Sequence, residues 1–135
     1  MEVIYGRGYV YSIQYHIVWC VKYRHKIITA EIEKKIIEIL NKIAEDNGFQ
    51  ILECNTEEDY IHLFINCSPQ HYIPDMIKAL KGVSARLLIK EFGEELKEKL
   101  WSEHLWNPSY FVSTVSKNTE EQIKKYLQNQ KSKSL

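Results

Sequence analysis

The apolar residues of this chain alternate between strand-type and helix-type spacing, and the order of those spacings constrains the fold more than any single motif. Residues 9–23 (Tyr-Val-Tyr-Ser-Ile-Gln-Tyr-His-Ile-Val-Trp-Cys-Val-Lys-Tyr) are dense in aromatic and β-branched types and read as one long strand. Thr29 can cap a helix, with Glu31 and Glu33 in its first turn. Ile32, Ile36, Ile39, Leu40 and Ile43 then recur at helical spacing, and Asn47-Gly48 ends the helix. Residues 49–54 and 60–67 read as two strands, with Asn55 to Asp59 as the turn between them. Pro74 opens a second helix with Ile73, Met76, Ile77, Leu80, Val83 and Leu87 as its apolar stripe. Gly93 is expected to break it, ahead of a short acidic amphipathic segment at 94–100. Residues 109–115 read as a fourth strand. Thr119 with Gln122 fits a capping box that starts a last helix, to about Gln130.

Strand, helix, strand, strand, helix, strand, helix is the split β-α-β order with one helix added. The expected fold class is α+β: a ferredoxin-like or RRM-like antiparallel four-stranded sheet with helices on one face, plus an extra C-terminal helix. The 135 residues fit a single domain, with a core at 9–131 and a tail at 132–135. Hydrophobic residues make up 44%, enough to fill a core. The 18 basic and 18 acidic residues cancel, so a non-specific nucleic-acid coat protein is disfavoured, and any nucleic-acid site must come from local segregation of charge. Cys20, Cys54 and Cys67 match neither a disulfide framework nor a zinc-knuckle spacing and read as reduced thiols. With no apolar run of signal-peptide or bilayer-spanning length, the expectation is a cytoplasmic protein without a membrane partner.

Three features carry possible chemistry. In Asp59-Tyr60-Ile61-His62-Leu63-Phe64, strand alternation points Tyr60 and His62 the same way, although a lone strand histidine is usually structural. Tyr126 and Gln130 are four apart and share a helix face, although a tyrosine there can simply pack with Ile123 and Leu127. Basic residues cluster with aromatics in Lys22-Tyr23-Arg24-His25-Lys26. Lys78, Lys81, Arg86 and Lys90 follow on the second helix, and Lys124 and Lys125 on the last. Such clusters suit phosphate contacts and base stacking, or a solvated surface. No P-loop, dinucleotide fingerprint, nucleophile elbow or His-Glu-x-x-His is present, so no nucleotide cofactor is expected.

Four stretches in order resemble the single-tyrosine HUH transposases of the smallest bacterial and archaeal insertion sequences. Tyr15-His16-Ile17-Val18-Trp19-Cys20-Val21-Lys22-Tyr23-Arg24 resembles the family's first strand, and Lys81-Gly82-Val83-Ser84-Ala85-Arg86 its second-helix motif. Leu105-Trp106-Asn107-Pro108-Ser109-Tyr110-Phe111-Val112 resembles its fourth strand, and Tyr126 with Gln130 its catalytic helix. The resemblance spans residues 9–131. It implies a transposase that nicks and rejoins single-stranded DNA, with Tyr126 as the nucleophile and a 5′-phosphotyrosine intermediate. It implies a divalent metal, Mg²⁺ or Mn²⁺, held by His62 and Gln130 with residue 60 as the remaining ligand position. It further implies a homodimer whose active site is completed in trans, and a DNA hairpin as substrate. Lys78, Lys81, Arg86 and Arg24 are the candidate DNA contacts. Two departures stand out: Tyr60 replaces the first histidine of the pair, and Ser113 to Asn118 lacks the glycines common before the tyrosine helix. A neutral phenol is a poor ligand, so weak metal affinity is expected.

The main alternative is a catalytically decayed ferredoxin-like dimer that binds single-stranded DNA or RNA hairpins without cutting. A small-molecule-binding regulatory domain of similar fold is a third reading; it leaves Tyr126, Gln130 and the basic clusters unexplained.

Overall fold

A computed structural model describes residues 3–6, 8–100 and 104–133. Two short strands come first, β1 (Ile4–Gly6) and β2 (Tyr9–Tyr11), followed by β3 (Ile13–Cys20). A turn of 3₁₀ helix at Lys22–Arg24 leads to α1 (Ala30–Asn47), β4 (Gln50–Thr56), β5 (Tyr60–Cys67) and α2 (Ile73–Lys99). The chain ends with β6 (Phe111–Ser113) and α3 (Thr119–Lys133). Four strands form an antiparallel sheet in the order β4-β5-β3-β6, as a split β-α-β fold requires. The α+β class with a four-stranded antiparallel sheet is therefore correct.

Strand alternation divides the sheet into two faces. Ile17 and Trp19 of β3 and Ile61, Leu63 and Ile65 of β5 are fully buried and join one core with Ile32, Ile36, Leu40, Leu80 and Leu88 of α1 and α2. Each such aliphatic side chain contributes about 1.5–3 kcal/mol by leaving water. The opposite face carries His16, Val18 and Cys20 beside Tyr60, His62 and Phe64, because the register pairs Val18 with His62 and Cys20 with Tyr60. Val18 and Cys20 are fully buried as well, and α3 packs on β3 and β6. Helices thus lie on both faces: α1 and α2 on one, α3 over one end of the other.

Local details follow the expected chemistry in α1 and depart from it elsewhere. Thr29 Oγ1 accepts from the Ile32 amide at 3.3 Å, and Gly48 closes α1 at φ 75°, where a side chain would be strained. The expected strand at 9–23 is divided: β2 folds back on β1 as a separate hairpin, and the chain turns after Cys20. Gly93 does not end α2. The helix kinks at Phe92 (φ −113°, ψ 21°) and continues to Lys99, because Leu96 beyond the kink is buried in the core. The stripe of α2 is also rotated: Ser84 and Leu88 are buried, whereas Val83 and Leu87 sit at its edge. The fourth strand is only three residues long. Thr119 is no capping box; its Oγ1 accepts from the Ser116 amide at 2.9 Å and donates back into the preceding loop. The last helix runs to Lys133, past the expected end, and residues 134–135 of the expected tail lie outside the described residues. Among the described residues no helix is long and apolar enough to cross a membrane, and the three cysteines are free thiols.

Candidate active site

The four sequence stretches singled out above converge at one end of the sheet. The end of β3 is tied to the loop before β6: the Lys22 amide donates to the Leu105 carbonyl and the Asn107 amide to that of Cys20, both at 2.9 Å. α2 holds the same loop. Lys81 Nζ donates to the Asn107 and Ser109 carbonyls at 2.6 and 3.2 Å, and Trp106 Nε1 donates to the buried Ser84 hydroxyl at 3.0 Å. This loop carries Ser109, whose hydroxyl lies 3.0 Å from that of Tyr126 on α3. The Phe111 ring packs on the Tyr126 ring at 5.8 Å between centroids. A residue neither exposed nor sealed off thus presents a phenol whose position is set by three other segments.

Arg24 joins α3 to this frame. Its Nε donates to Asp59 Oδ2 at 2.9 Å, its Nη2 lies 2.9 Å from the same oxygen in an ion pair, and its Nη1 donates to the Leu127 carbonyl at 2.8 Å. The guanidinium also lies over the Tyr60 ring, 5.6 Å from its centroid. Tyr23 and Arg24 both adopt left-handed backbone (φ 57° and 55°), a cost of about 1–2 kcal/mol for each residue with a side chain. The ion pair with Asp59 and the Val21 amide bonded to the Asp59 carbonyl at 2.9 Å hold the turn in that shape. Arg24, expected on DNA phosphates, is committed within the protein. Lys81, expected likewise, is half-buried and committed to two carbonyls; Lys78 and Arg86 are exposed on α2.

Burial dominates the electrostatics. It raises the Tyr126 phenol above its ordinary value, a shift opposed by the Ser109 hydrogen bond and by Arg24. Burial also raises Tyr60, reinforced by Glu57 and Asp59. The Cys20 thiol is pushed up to about 11 by burial, and Lys81 is lowered to about 8 by the same cause. His62 and His16 are both lowered, by burial first, so both rings are neutral at pH 7. His16 Nδ1 lies 2.8 Å from His62 Nε2.

For a divalent ion, the donor chemistry fits at His62, a neutral imidazole on the half-open sheet face. It fits poorly at Tyr60, whose phenol resists ionisation. Gln130 is buried on α3, one turn beyond Tyr126. Among the described residues no three His, Cys, Asp or Glu side chains form a cluster able to hold a metal. Sequence reasoning missed Ser109, Asp59 and the Lys81 clamp. The face that His16 occupies was not legible from sequence, because facing depends on the β3–β5 register.

Comparison with known proteins agrees with this arrangement. Residues 9–130 match the family model described as IS200-like transposase. The chain is 47% identical over 133 residues to the ISDra2 transposase TnpA of Deinococcus radiodurans, covering 98% of this chain and 94% of that protein. It is 33% identical over 120 residues to the transposase for insertion sequence element IS200 of Salmonella typhimurium, covering 89% and 78%. A crystal structure of a chain described as a transposase from Deinococcus radiodurans R1 superposes with a TM-score of 0.89 at 46% identity, over 94% of this chain and 97% of that one. A REP-associated tyrosine transposase bound to a REP hairpin shares the fold at a TM-score of 0.56 and 12% identity, over 92% and 68%. With its sequence matched from the first sheet strand to the buried end of α3, this chain belongs to the IS200-like transposase family.

Proposed function

We propose that this transposase nicks and rejoins single-stranded DNA at insertion-sequence ends through a 5′-phosphotyrosine on Tyr126. The observation that carries the reading is the Tyr126 hydroxyl, held at Ser109 by the loop that the three other family stretches build. Attack of the Tyr126 oxygen on a backbone phosphorus forms the Tyr–O–P bond. It breaks the bond to the 3′ oxygen, which takes up a proton as the phenol loses one. Rejoining is the reverse exchange: a 3′-hydroxyl attacks the phosphotyrosine and releases Tyr126. One phosphoester replaces another at each step, so no nucleotide hydrolysis is required. The phenol titrates above neutral pH and needs assistance as a nucleophile.

A divalent ion, Mg²⁺ or Mn²⁺, would polarise the phosphate when bound, with His62 and Gln130 as ligands and position 60 beside them. Ser109 orients the Tyr126 oxygen, and Arg24 fixes the carbonyl that follows it. A cleft of about 380 Å³ lined in part by Lys22, Lys81, Trp106 and Asn107 opens beside the loop. Together with exposed Lys78 and Arg86 it suits a hairpin's backbone, with phosphate contacts supplied by the exposed cations. The active form in this reading is a homodimer with sites completed in trans.

A second reading, a dimer that binds hairpins without cutting, is favoured by Tyr60 alone. The test is covalent capture. Wild-type protein with labelled single-stranded DNA from an insertion-sequence end and Mn²⁺ is expected to give a denaturation-resistant adduct, and Tyr126→Phe none. An adduct retained in Tyr126→Phe would assign the nucleophile elsewhere. Specific binding without an adduct in wild type would favour the second reading.

A further inference from the structure

The substitution at position 60 leaves the expected metal site one imidazole short, and the structure places another imidazole on the same face. β3 and β5 are antiparallel with Val18 opposite His62 and His16 opposite Phe64. His16 therefore reaches His62 diagonally across the strands. Its Nδ1 is 2.8 Å from His62 Nε2, with ring centroids 5.1 Å apart and planes at 42°. Phe64 stacks on the His16 ring at 4.7 Å, which limits its rotation. Tyr60 is engaged elsewhere, its ring under the Arg24 guanidinium.

We propose that the divalent-ion site of this chain is built across strands, from His16 and His62, rather than along β5 from residues 60 and 62. Two imidazole nitrogens bound to one ion at about 2.1 Å, in adjacent positions, lie about 3 Å apart. The observed 2.8 Å is close to that spacing, so an ion can replace the shared proton with little movement of either strand. Two imidazoles suit a Mn²⁺-, Co²⁺- or Zn²⁺-type ion better than Mg²⁺. Glu53, close enough on β4 to influence both rings, adds negative charge beside the pair. The remaining coordination positions fall to water, Gln130 or the DNA phosphate. The inference deepens the proposed function by naming a ligand for the same site, and rests on that reading only for the ion's role.

The experiment uses the full chain, Mn²⁺ chloride as the probe, and the variants His16→Ala, His16→Gln and Tyr60→Phe, each checked for folding by its thermal midpoint. Calorimetric titration measures affinity, and pulsed electron paramagnetic resonance counts the nitrogens coupled to bound Mn²⁺. Wild type and Tyr60→Phe are expected to show two coupled nitrogens and equal affinity. Both His16 variants are expected to show one, with at least about tenfold weaker binding. Unchanged binding and nitrogen count in the folded His16 variants would overturn the proposal, as would a wild type that binds no Mn²⁺. Adduct formation on the same samples separates the two ideas. An adduct with His16-independent binding sinks the cross-strand site alone, whereas His16-dependent binding without an adduct sinks the nuclease reading alone.

Discussion

At the scale of single residues, burial rather than charge sets the chemistry of this site. Tyr60 illustrates it. Its phenol is raised by desolvation and by two neighbouring carboxylates, so it stays protonated and contributes little to a cation. Tyr60→His would add an imidazole on the same face as His62 and is expected to tighten Mn²⁺ binding at least about tenfold, roughly 1.4 kcal/mol, and to raise cleavage. Titration calorimetry of the two forms checks this; equal or weaker binding by the variant would mean that an imidazole at position 60 does not join the ion held by His62. Lys81 gives a pH dependence. Its pKa falls from 10.5 to about 8 in the folded chain. Between these values the unfolded chain binds more protons than the folded one, so stability rises with pH across that window. Wild type should therefore gain stability relative to Lys81→Met between pH 8 and 10. Parallel urea melts at both ends of the window would show it, and a constant difference would contradict it.

At the scale of elements, α3 is the part whose position matters most, and much of its attachment passes through one side chain. Arg24 bonds Asp59 on the sheet side and the Leu127 carbonyl on the helix side. Removing it leaves the Asp59 carboxylate, 16% exposed, without its partner, a cost of about 3–5 kcal/mol for a fully buried pair and less here. It also releases the left-handed turn at Tyr23. Arg24→Ala is expected to lower hydrogen-exchange protection in residues 119–130 more than in β3 and β5. Uniform loss of protection would show instead that Arg24 supports the whole fold. The kink of α2 follows the same logic of competing demands. Gly93 weakens the helix locally, yet burial of Leu96 keeps the chain helical beyond it.

At the scale of the whole molecule, α3 has a seat on its own chain. Ile123 is buried against it, and Tyr126 meets Ser109 and Phe111 of the same chain. The family resemblance implies a dimer; because α3 is seated on its own chain here, the proposed trans assembly requires α3 to exchange between copies. Mixing Tyr126→Phe with His62→Ala subunits decides the matter. Restored cleavage is expected if the sites are shared between subunits. No restoration, with both variants folded and dimeric by light scattering, would mean that each chain uses its own tyrosine.

The periods of the apolar residues determined the element order, the sheet class and α1 down to its Thr29 cap and Gly48 stop, because those depend on neighbours within a turn or two. The resemblance carried by Tyr126, His62, Lys81 and Trp106 was equally legible, since it lies in local strings of residues. Only the tertiary structure decided how those strings are placed against one another. Lys81 and Arg24 read as candidate DNA contacts in sequence. They became internal clamps because the loop at 105–109 and the end of α3 present bare carbonyls at their reach. The pairing of His16 with His62 was out of reach for the same reason. They are separated by 46 positions and meet only through the β3–β5 register. A register slip of one residue would send His16 into the core.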